Sequence, residues 1–510
     1  MRIVAATLDT SPTPGMSTRP PGRLEVGGWS ALEGSSRGMD GPHAKDAHGP
    51  SVMQILRLHG VELTVDSSEL GGGLLVRTTL RRPSGNGSAP VAIDRVRFLL
   101  DARPGLVLEH GWQSWSPVGV RAANKPARRR RLAPEWVRST YHAEGRLASS
   151  VVGADQFMLM AGGLGCDPGG IAGFLDGRRH LSSMIATPQG VVVMAHLDAL
   201  ALEPGEEREL DPLWIAEGDS GSLYSQYVEH WAKEARARNQ ASSMLGWCSW
   251  YHYFMKVTPA DVRENLAIGR NHGVEVVQMD DGYPREIGDW LESRPPFDGG
   301  EMPALAAEIQ AAGCTPGIWS APFLAGARSR LAHEHPDWLV RDPHRQPLTA
   351  IWNPITWRGR SFALDTTNPE VLEHLRQVFS KLRSEGWSYH KVDFCYAAAM
   401  PGRRMASGRM TRAEALRLGL EAIRDGVGDD AFLLGCGCPL AQAVGVVDAM
   451  RVSADTAPKW APGVMQVPGY PEPSPALKNA VKGSVLRAPM HRRLWLNDPD
   501  CLMLRPTRTR

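Results

Sequence analysis

Val274-Glu275-Val276-Val277-Gln278-Met279-Asp280-Asp281-Gly282 is an apolar run that stops on two adjacent acids. Its β-branched character and the turn chemistry that follows predict a buried strand. Helical spacing occupies residues 259–271 before it and 303–312 after it. The alternation then continues. Further candidate strands end at residues 247–250, 315–320, 391–394, 432–436, 450–455 and 494–496, with a weaker one at 501–504. Helical stretches at 369–385, 411–426 and 476–487 lie between them. Strand and helix in alternation imply parallel strands joined by crossover helices, and the length favours a (β/α)8 TIM barrel over residues 244–510.

Upstream the pattern changes. Residues 51–219 read as short strands with turn punctuation, as in the alternating Val61-Glu62-Leu63-Thr64-Val65 and the Pro83-Ser84-Gly85-Asn86-Gly87 turn. This predicts an N-terminal β-sandwich domain. Tyr224, Tyr227, Val228, Trp231 and Ala235 fall at helical spacing, so residues 220–243 are expected to form a connecting helix. Residues 1–50 are rich in Gly, Pro, Ser and Thr without periodicity, which predicts a disordered segment.

A chain of 510 residues exceeds one ordinary core. A formal charge of +2 gives no reason to expect nucleic acid or an anionic membrane as partner. The one basic run, KPARRRR at 125–131, reads as a solvated loop. Seven scattered cysteines do not suggest a disulfide framework. No stretch approaches the roughly 20 apolar residues of a membrane span. The N-terminus has no convincing secretory apolar core, so a cytoplasmic location is expected and the Asn86-Gly87-Ser88 sequon carries little weight. Sixteen tryptophans against ten phenylalanines fit indoles stacked on sugars as well as indoles in a core.

In a barrel enzyme the chemistry sits at the C-terminal ends of the strands. In Tyr389-His390-Lys391-Val392-Asp393-Phe394, alternation puts Lys391 and Asp393 on one side. Lys391 would then hold a buried Asp393 ionised, which suits a nucleophile toward an anomeric carbon. In Met450-Arg451-Val452-Ser453-Ala454-Asp455, the same rule groups Arg451, Ser453 and Asp455. Asp455 is the natural acid/base partner of Asp393. Arg451 cannot serve as an acid, and is expected to bind hydroxyls or orient a carboxylate. Asp280 and Asp281 suit a metal or vicinal hydroxyls; without a His-x-His or His-Glu-x-x-His array, hydroxyl recognition is favoured and no metal is expected. Trp247, Trp250 and Trp319 frame these acids, and Trp112 and Trp115 in the β-rich domain are positioned to close a sugar pocket.

Taken in order, these pieces resemble glycoside hydrolase family 36, the α-galactosidase (melibiase) family. The resemblance rests on GWQSWS from Gly111, GWCSWY from Gly246, MDDGY from Met279, GIW from Gly317 and HPDWLV from His335. It continues through LDTTNPEV from Leu364, KVDF from Lys391, GCGCP from Gly435, RVSAD from Arg451 and NDPDCLMLR from Asn497. It implies a β-supersandwich before the barrel, no cofactor, Asp393 as nucleophile and Asp455 as acid/base. It further implies that Asp280 and Asp281 bind the sugar's 4- and 6-hydroxyls, and that Lys391 and Arg451 bind other hydroxyls. Trp319 would meet the sugar face, Cys436 the pocket floor, and Trp112 or Trp115 would supply an indole from the N-terminal domain.

Family members usually continue through a final barrel helix and a C-terminal β-domain, whereas this sequence stops at Arg510. The expectation is therefore a barrel truncated near its last βα unit. The function expected is retaining, exo-acting hydrolysis of α-galactoside oligosaccharides, in a protein that forms a homo-oligomer if it self-associates. Val392 and Cys395 replace the family's common Trp and Asn, as in its raffinose-synthase-like branch. A galactosyl-transferring transglycosidase is the enzymatic alternative, and a truncated carbohydrate-binding protein the non-catalytic one.

Overall fold

In the strand Val61–Leu70, Val61, Leu63 and Val65 are buried while Glu62 and Thr64 are half-buried, the period of a strand with one face on a core. The computed structural model describes residues 3–11, 30–31, 52–85, 89–102, 105–116, 118–122, 158–159, 169–187, 190–461 and 474–501. Val61–Leu70 pairs antiparallel with Val52–Leu58 and Gly73–Arg81, in a six-stranded sheet completed by Leu213–Gly218, Gly169–Phe174 and Glu207–Glu209. A second antiparallel sheet orders Leu181–Thr187, Gly190–Leu202, Val91–Leu100, Ile3–Ser11 and Ser30–Ala31. Leu8, Ile93, Phe98 and Val193 of this sheet share one core with Leu63, Val76 and Leu213 of the other. Each such side chain contributes about 1.5–3 kcal/mol by leaving water.

The expected disorder of the first fifty residues does not hold for Ile3–Ser11. That strand lies inside the second sheet along Val91–Leu100, with Ala6 opposite Phe98 and Leu8 opposite Val96. Tertiary pairing here overrides a neighbourhood whose composition reads as unstructured. The basic run and the Asn86 sequon lie outside the described residues.

The helix Ser220–Glu234, capped by Asp219, joins this domain to the next. Tyr227 donates to the Phe174 carbonyl, and the Trp231 ring meets Trp495 edge-on at 6.5 Å. From Gly246 onward seven parallel strands follow in chain order: Gly246–Cys248, Val276–Met279, Thr315–Ser320, Tyr389–Val392, Phe432–Gly435, Ala449–Arg451 and Leu496–Asp498. The crossover helices start where the sequence signals them. Thr258 and Thr411 form capping boxes with Asp261 and Glu414, while Asn368 caps a helix that begins at Pro369. The sheet curls into part of a barrel, consistent with a TIM-like domain. Tyr251, just after the first strand, bonds Asp500, just after the seventh. The curled sheet lines a half-open cleft of about 570 Å³ bordered by Cys248, Gln278, Tyr389, Phe432, Arg451 and Asp498. The weak strand expected at 501–504 is coil at Cys501 and otherwise lies outside the described residues.

Between the third and fourth barrel strands the chain builds a feature that sequence reasoning missed. Leu324–Gly326, Gly359–Ala363 and Thr349–Asn353 form a small antiparallel sheet whose hairpin turn carries Trp357.

Candidate active site

Acids, bases and indoles gather at the C-terminal strand ends. At the end of the fourth strand, Phe394 adopts the left-handed conformation, φ 54°, which ends the strand immediately after Asp393. Asp393 is buried. Its Oδ2 accepts from Trp319 Nε1 at 3.0 Å and its Oδ1 from the Phe394 amide at 2.9 Å. Donors of this kind fix a carboxylate's orientation.

The expected pairing of Lys391 with Asp393 is not what forms. Lys391 Nζ reaches Asp280 Oδ2 at 2.8 Å, with both side chains only 4% exposed. The strand alternation was read one residue too far: Asp393 lies beyond the last ladder position, and the long lysine stem crosses to the second strand's end instead. Burial works against the Lys391 charge, but Asp280 carries its pKa above the ordinary value. Asp280 also accepts from Gln278 Nε2 at 2.7 Å, and its amide donates to Ser249 Oγ at 2.9 Å. The two neighbouring acids therefore differ. Asp280 is saturated by protein groups, whereas Asp281 accepts from Trp357 Nε1 at 2.8 Å and keeps Oδ1 without a hydrogen-bonding partner among the described residues.

Burial pushes the Asp281 carboxyl up to about 7, with the Trp357 indole the main opposing influence. A carboxyl whose pKa is raised on folding, here from 3.8, stabilises the protein most below that ordinary value. The contribution is lost as pH climbs through about 7. Asp211 of the N-terminal domain, also raised to about 7 by burial, adds a fall of the same sign. Asp281→Asn is therefore expected to remove part of the decline in Tm from about pH 4 to about pH 8. An unaltered decline would contradict the burial assigned to Asp281.

The sixth strand ends at Arg451, so the alternation expected through Asp455 also stops early. Arg451 spreads over three acids: Nη1 to Asp455 Oδ1 at 3.0 Å, Nε to Asp498 Oδ2 at 3.2 Å and Nη2 to Asp500 Oδ1 at 2.9 Å. Burial opposes its charge, but the neighbouring acids, Asp500 foremost, keep its pKa above the usual value. Asp455 keeps 35% of its side chain exposed. Ser453 leaves the expected grouping; its Cβ abuts Gly483 of the helix Leu477–Leu486, and its hydroxyl donates to the Ala454 carbonyl.

Cys436, just past the fifth strand, ties the halves together. Burial raises its thiol pKa, Asp393 and Asp455 add to the rise, and Arg451 and Lys391 oppose it. The buried thiol thus lies within electrostatic reach of all four charged groups. Next to it, a Cβ on Gly437 would stand 2.9 Å from the Trp115 ring, so glycine is needed for that indole to approach. Trp115 meets Phe394 edge-on at 4.9 Å, and its Nε1 has no partner among the described residues. Trp112 is instead buried in the main core, its ring 6.5 Å from Tyr396. Trp247 is not brought beside Asp393. Its neighbour Cys248 takes the Asp280 side, at 3.5 Å, while the Trp247 ring packs on Tyr253. Trp250 likewise packs on Phe254.

Sequence reasoning missed Trp357, Asp498, Asp500, Tyr251 and Arg487 as parts of this region. The two acids stand in NDPDC, where Asp-Pro-Asp after an apolar strand was the available signal. Arg487 is fully buried and donates to the carbonyls of Ser114, His110 and Val452, joining the Trp115 loop to the strand end that carries Asp455. Burial lowers its pKa to about 10. Among the described residues no cluster of His, Cys, Asp or Glu is arranged to hold a metal ion, and no helix is long and apolar enough to cross a membrane.

Acids and indoles thus converge on the strand ends of a curled parallel β/α sheet, where enzymes of this architecture carry their sites. Residues 220–429 match the Melibiase family model, and the chain is similar to α-galactosidases. The probable alpha-galactosidase C of Aspergillus flavus is 27% identical over 194 residues, 35% of this chain and 24% of that protein. The matched stretch thus spans about a quarter of that relative's length. Among solved structures, the α-galactosidase TtGalA of Thermus thermophilus, in complex with p-nitrophenyl α-D-galactopyranoside, is 26% identical with a TM-score of 0.69. That match covers 89% of this chain and 85% of the other. The stachyose complex of the same enzyme gives a TM-score of 0.68 at 26% identity, covering 89% of each chain. The family-36 α-galactosidase AgaA of Geobacillus stearothermophilus shares the fold at 15% identity, with a TM-score of 0.58 over 91% of this chain and 64% of its own.

Proposed function

We propose that the chain is a retaining, exo-acting α-galactosidase built on a (β/α)8 scaffold behind a β-supersandwich. Asp393 attacks the anomeric carbon while Asp455 protonates the departing oxygen. Asp455 then deprotonates a water that releases galactose with its α configuration kept. The observation that carries this reading is the contrast between the two acids. Asp393 is buried and oriented by an indole and an amide, as a nucleophile needs, while Asp455 is half-exposed on Arg451, as a proton carrier needs. Asp281, Lys391, Arg451, Trp319 and Trp115 supply sugar contacts, and the substrate is a terminal α-galactoside of an oligosaccharide. The likeness to TtGalA, whose complexes hold an aryl α-galactoside and stachyose, supports that substrate class.

The test is anomer-resolved proton NMR of the first product formed from an aryl α-galactoside. α-Galactose before mutarotation is expected. β-Galactose would mean inversion, which needs carboxyls about 6.5–9.5 Å apart instead of about 5–5.5 Å. No turnover of any aryl α-galactoside would sink the proposal altogether.

A further inference from the structure

The hairpin between Thr349–Asn353 and Gly359–Ala363 brings a tryptophan to an acid of the proposed sugar pocket from outside the barrel sheet. Trp357 Nε1 donates to Asp281 Oδ2 at 2.8 Å. Its ring meets Phe394, the residue after Asp393, at 5.0 Å, and Trp319, the donor to Asp393, at 6.5 Å. One side chain therefore touches the setting of Asp281 and that of Asp393. On its outer side lies a cleft of about 370 Å³ lined by Asp281, Met255, Arg285, Ile355, Trp357 and Arg358, within the size range of small-molecule sites. Asp281 is only 2% exposed, yet its Oδ1 has no hydrogen-bonding partner among the described residues. A buried carboxylate oxygen left open costs free energy unless a ligand fills the position.

We infer that Trp357 is a positioning residue for sugar recognition: its indole N–H holds Asp281 Oδ2, so that Oδ1 stays free to accept a hydroxyl of the terminal sugar. The inference rests on the glycosidase reading and deepens it. The ring and Asp281 line the same cleft as Ile355, Arg285 and Arg358. The groups that set the charge on Asp281 are few. Burial pushes its pKa up and Asp280, which precedes it, adds to the rise, while the Trp357 indole, Arg294 and the Gly282 amide favour the ionised form. At the rim, Glu286 is bridged by Arg328 and Arg358, and Arg285 faces Glu292.

Trp357→Phe keeps the ring and removes the N–H. A hydrogen bond to a charged group corresponds to about a tenfold change in binding. KM for an aryl α-galactoside is therefore expected to rise about tenfold, with kcat moving less than about threefold. The pH above which Asp281 ceases to stabilise the fold should also move upward, read from Tm against pH relative to Asp281→Asn. That second readout needs no turnover. If the unaltered protein hydrolyses no aryl α-galactoside, the glycosidase reading fails and the Tm profile alone decides the inference. Trp357→Leu, a second way of deleting the donor, covers a folding defect peculiar to Phe. An unchanged KM, a loss confined to kcat, or an unshifted Tm profile would overturn the assignment.

Discussion

Asp393→Ala is expected to lower kcat on an aryl α-galactoside by about 10⁴-fold while the fold persists. The reason is geometric as well as chemical. Two donors, Trp319 Nε1 and the Phe394 amide, are spent on this one carboxylate. Its neighbours are committed elsewhere: Asp280 is tied to Lys391 and Gln278, Asp281 to Trp357, and Asp498 and Asp500 to Arg451. Removing the side chain leaves the Trp319 indole without its acceptor, but the ring remains packed against Trp290. Circular dichroism and Tm close to the unaltered protein, with kcat near background, would bear this out. Turnover within about tenfold of the parent would show that Asp393 is not the attacking group.

Lys391→Met is expected to produce the largest loss of stability, about 3–5 kcal/mol, because it leaves the Asp280 carboxylate buried without its cation. The pair is 2.8 Å apart with both side chains 4% exposed, so solvent screens it little. Breaking one partner of such a pair costs far more than replacing both. Asp280→Asn added to Lys391→Met should therefore recover part of the loss, measured by urea unfolding at neutral pH. A single variant as stable as the parent, or a double variant less stable than the single, would contradict the buried pair.

Much of the barrel was legible because its signals are local. Helical spacing marked the crossover helices, and apolar runs ending on acids marked the strand ends. The crossover helices fall within residues of where the spacing placed them. The convergence of Asp280, Asp393, Arg451 and Asp455 was legible for the same reason, since strand ends in a parallel sheet share one rim. What failed was the assignment of partners. Lys391 and Asp393 are two residues apart, yet the lysine bonds an acid 111 positions away, because its stem is long and the strand ends at Val392. The alternation rule likewise placed Ser453 beside Asp455 although the strand had already ended at Arg451. The strand Ile3–Ser11 was hidden because its stability comes from Val91–Leu100, not from its own neighbourhood. The inserted hairpin was hidden because Thr349–Asn353 and Gly359–Ala363 are short and half-exposed, and only the turn that seats Trp357 gives them a purpose.

Arg487 carries a consequence for the order in which the molecule matures. Its guanidinium grips carbonyls contributed by residues 110–116 and by Val452, so a stretch made early in synthesis waits for one made late. While the chain is emerging from the ribosome, the Trp115 loop first gains Phe394 and Cys438 and only later the arginine. The Trp115 indole packs on Phe394 and Tyr396, but its loop gains its last clasp only when residue 487 has cleared the exit tunnel. A nascent chain stalled before that point should therefore hold residues 110–116 less firmly than the finished protein, read as faster amide exchange there.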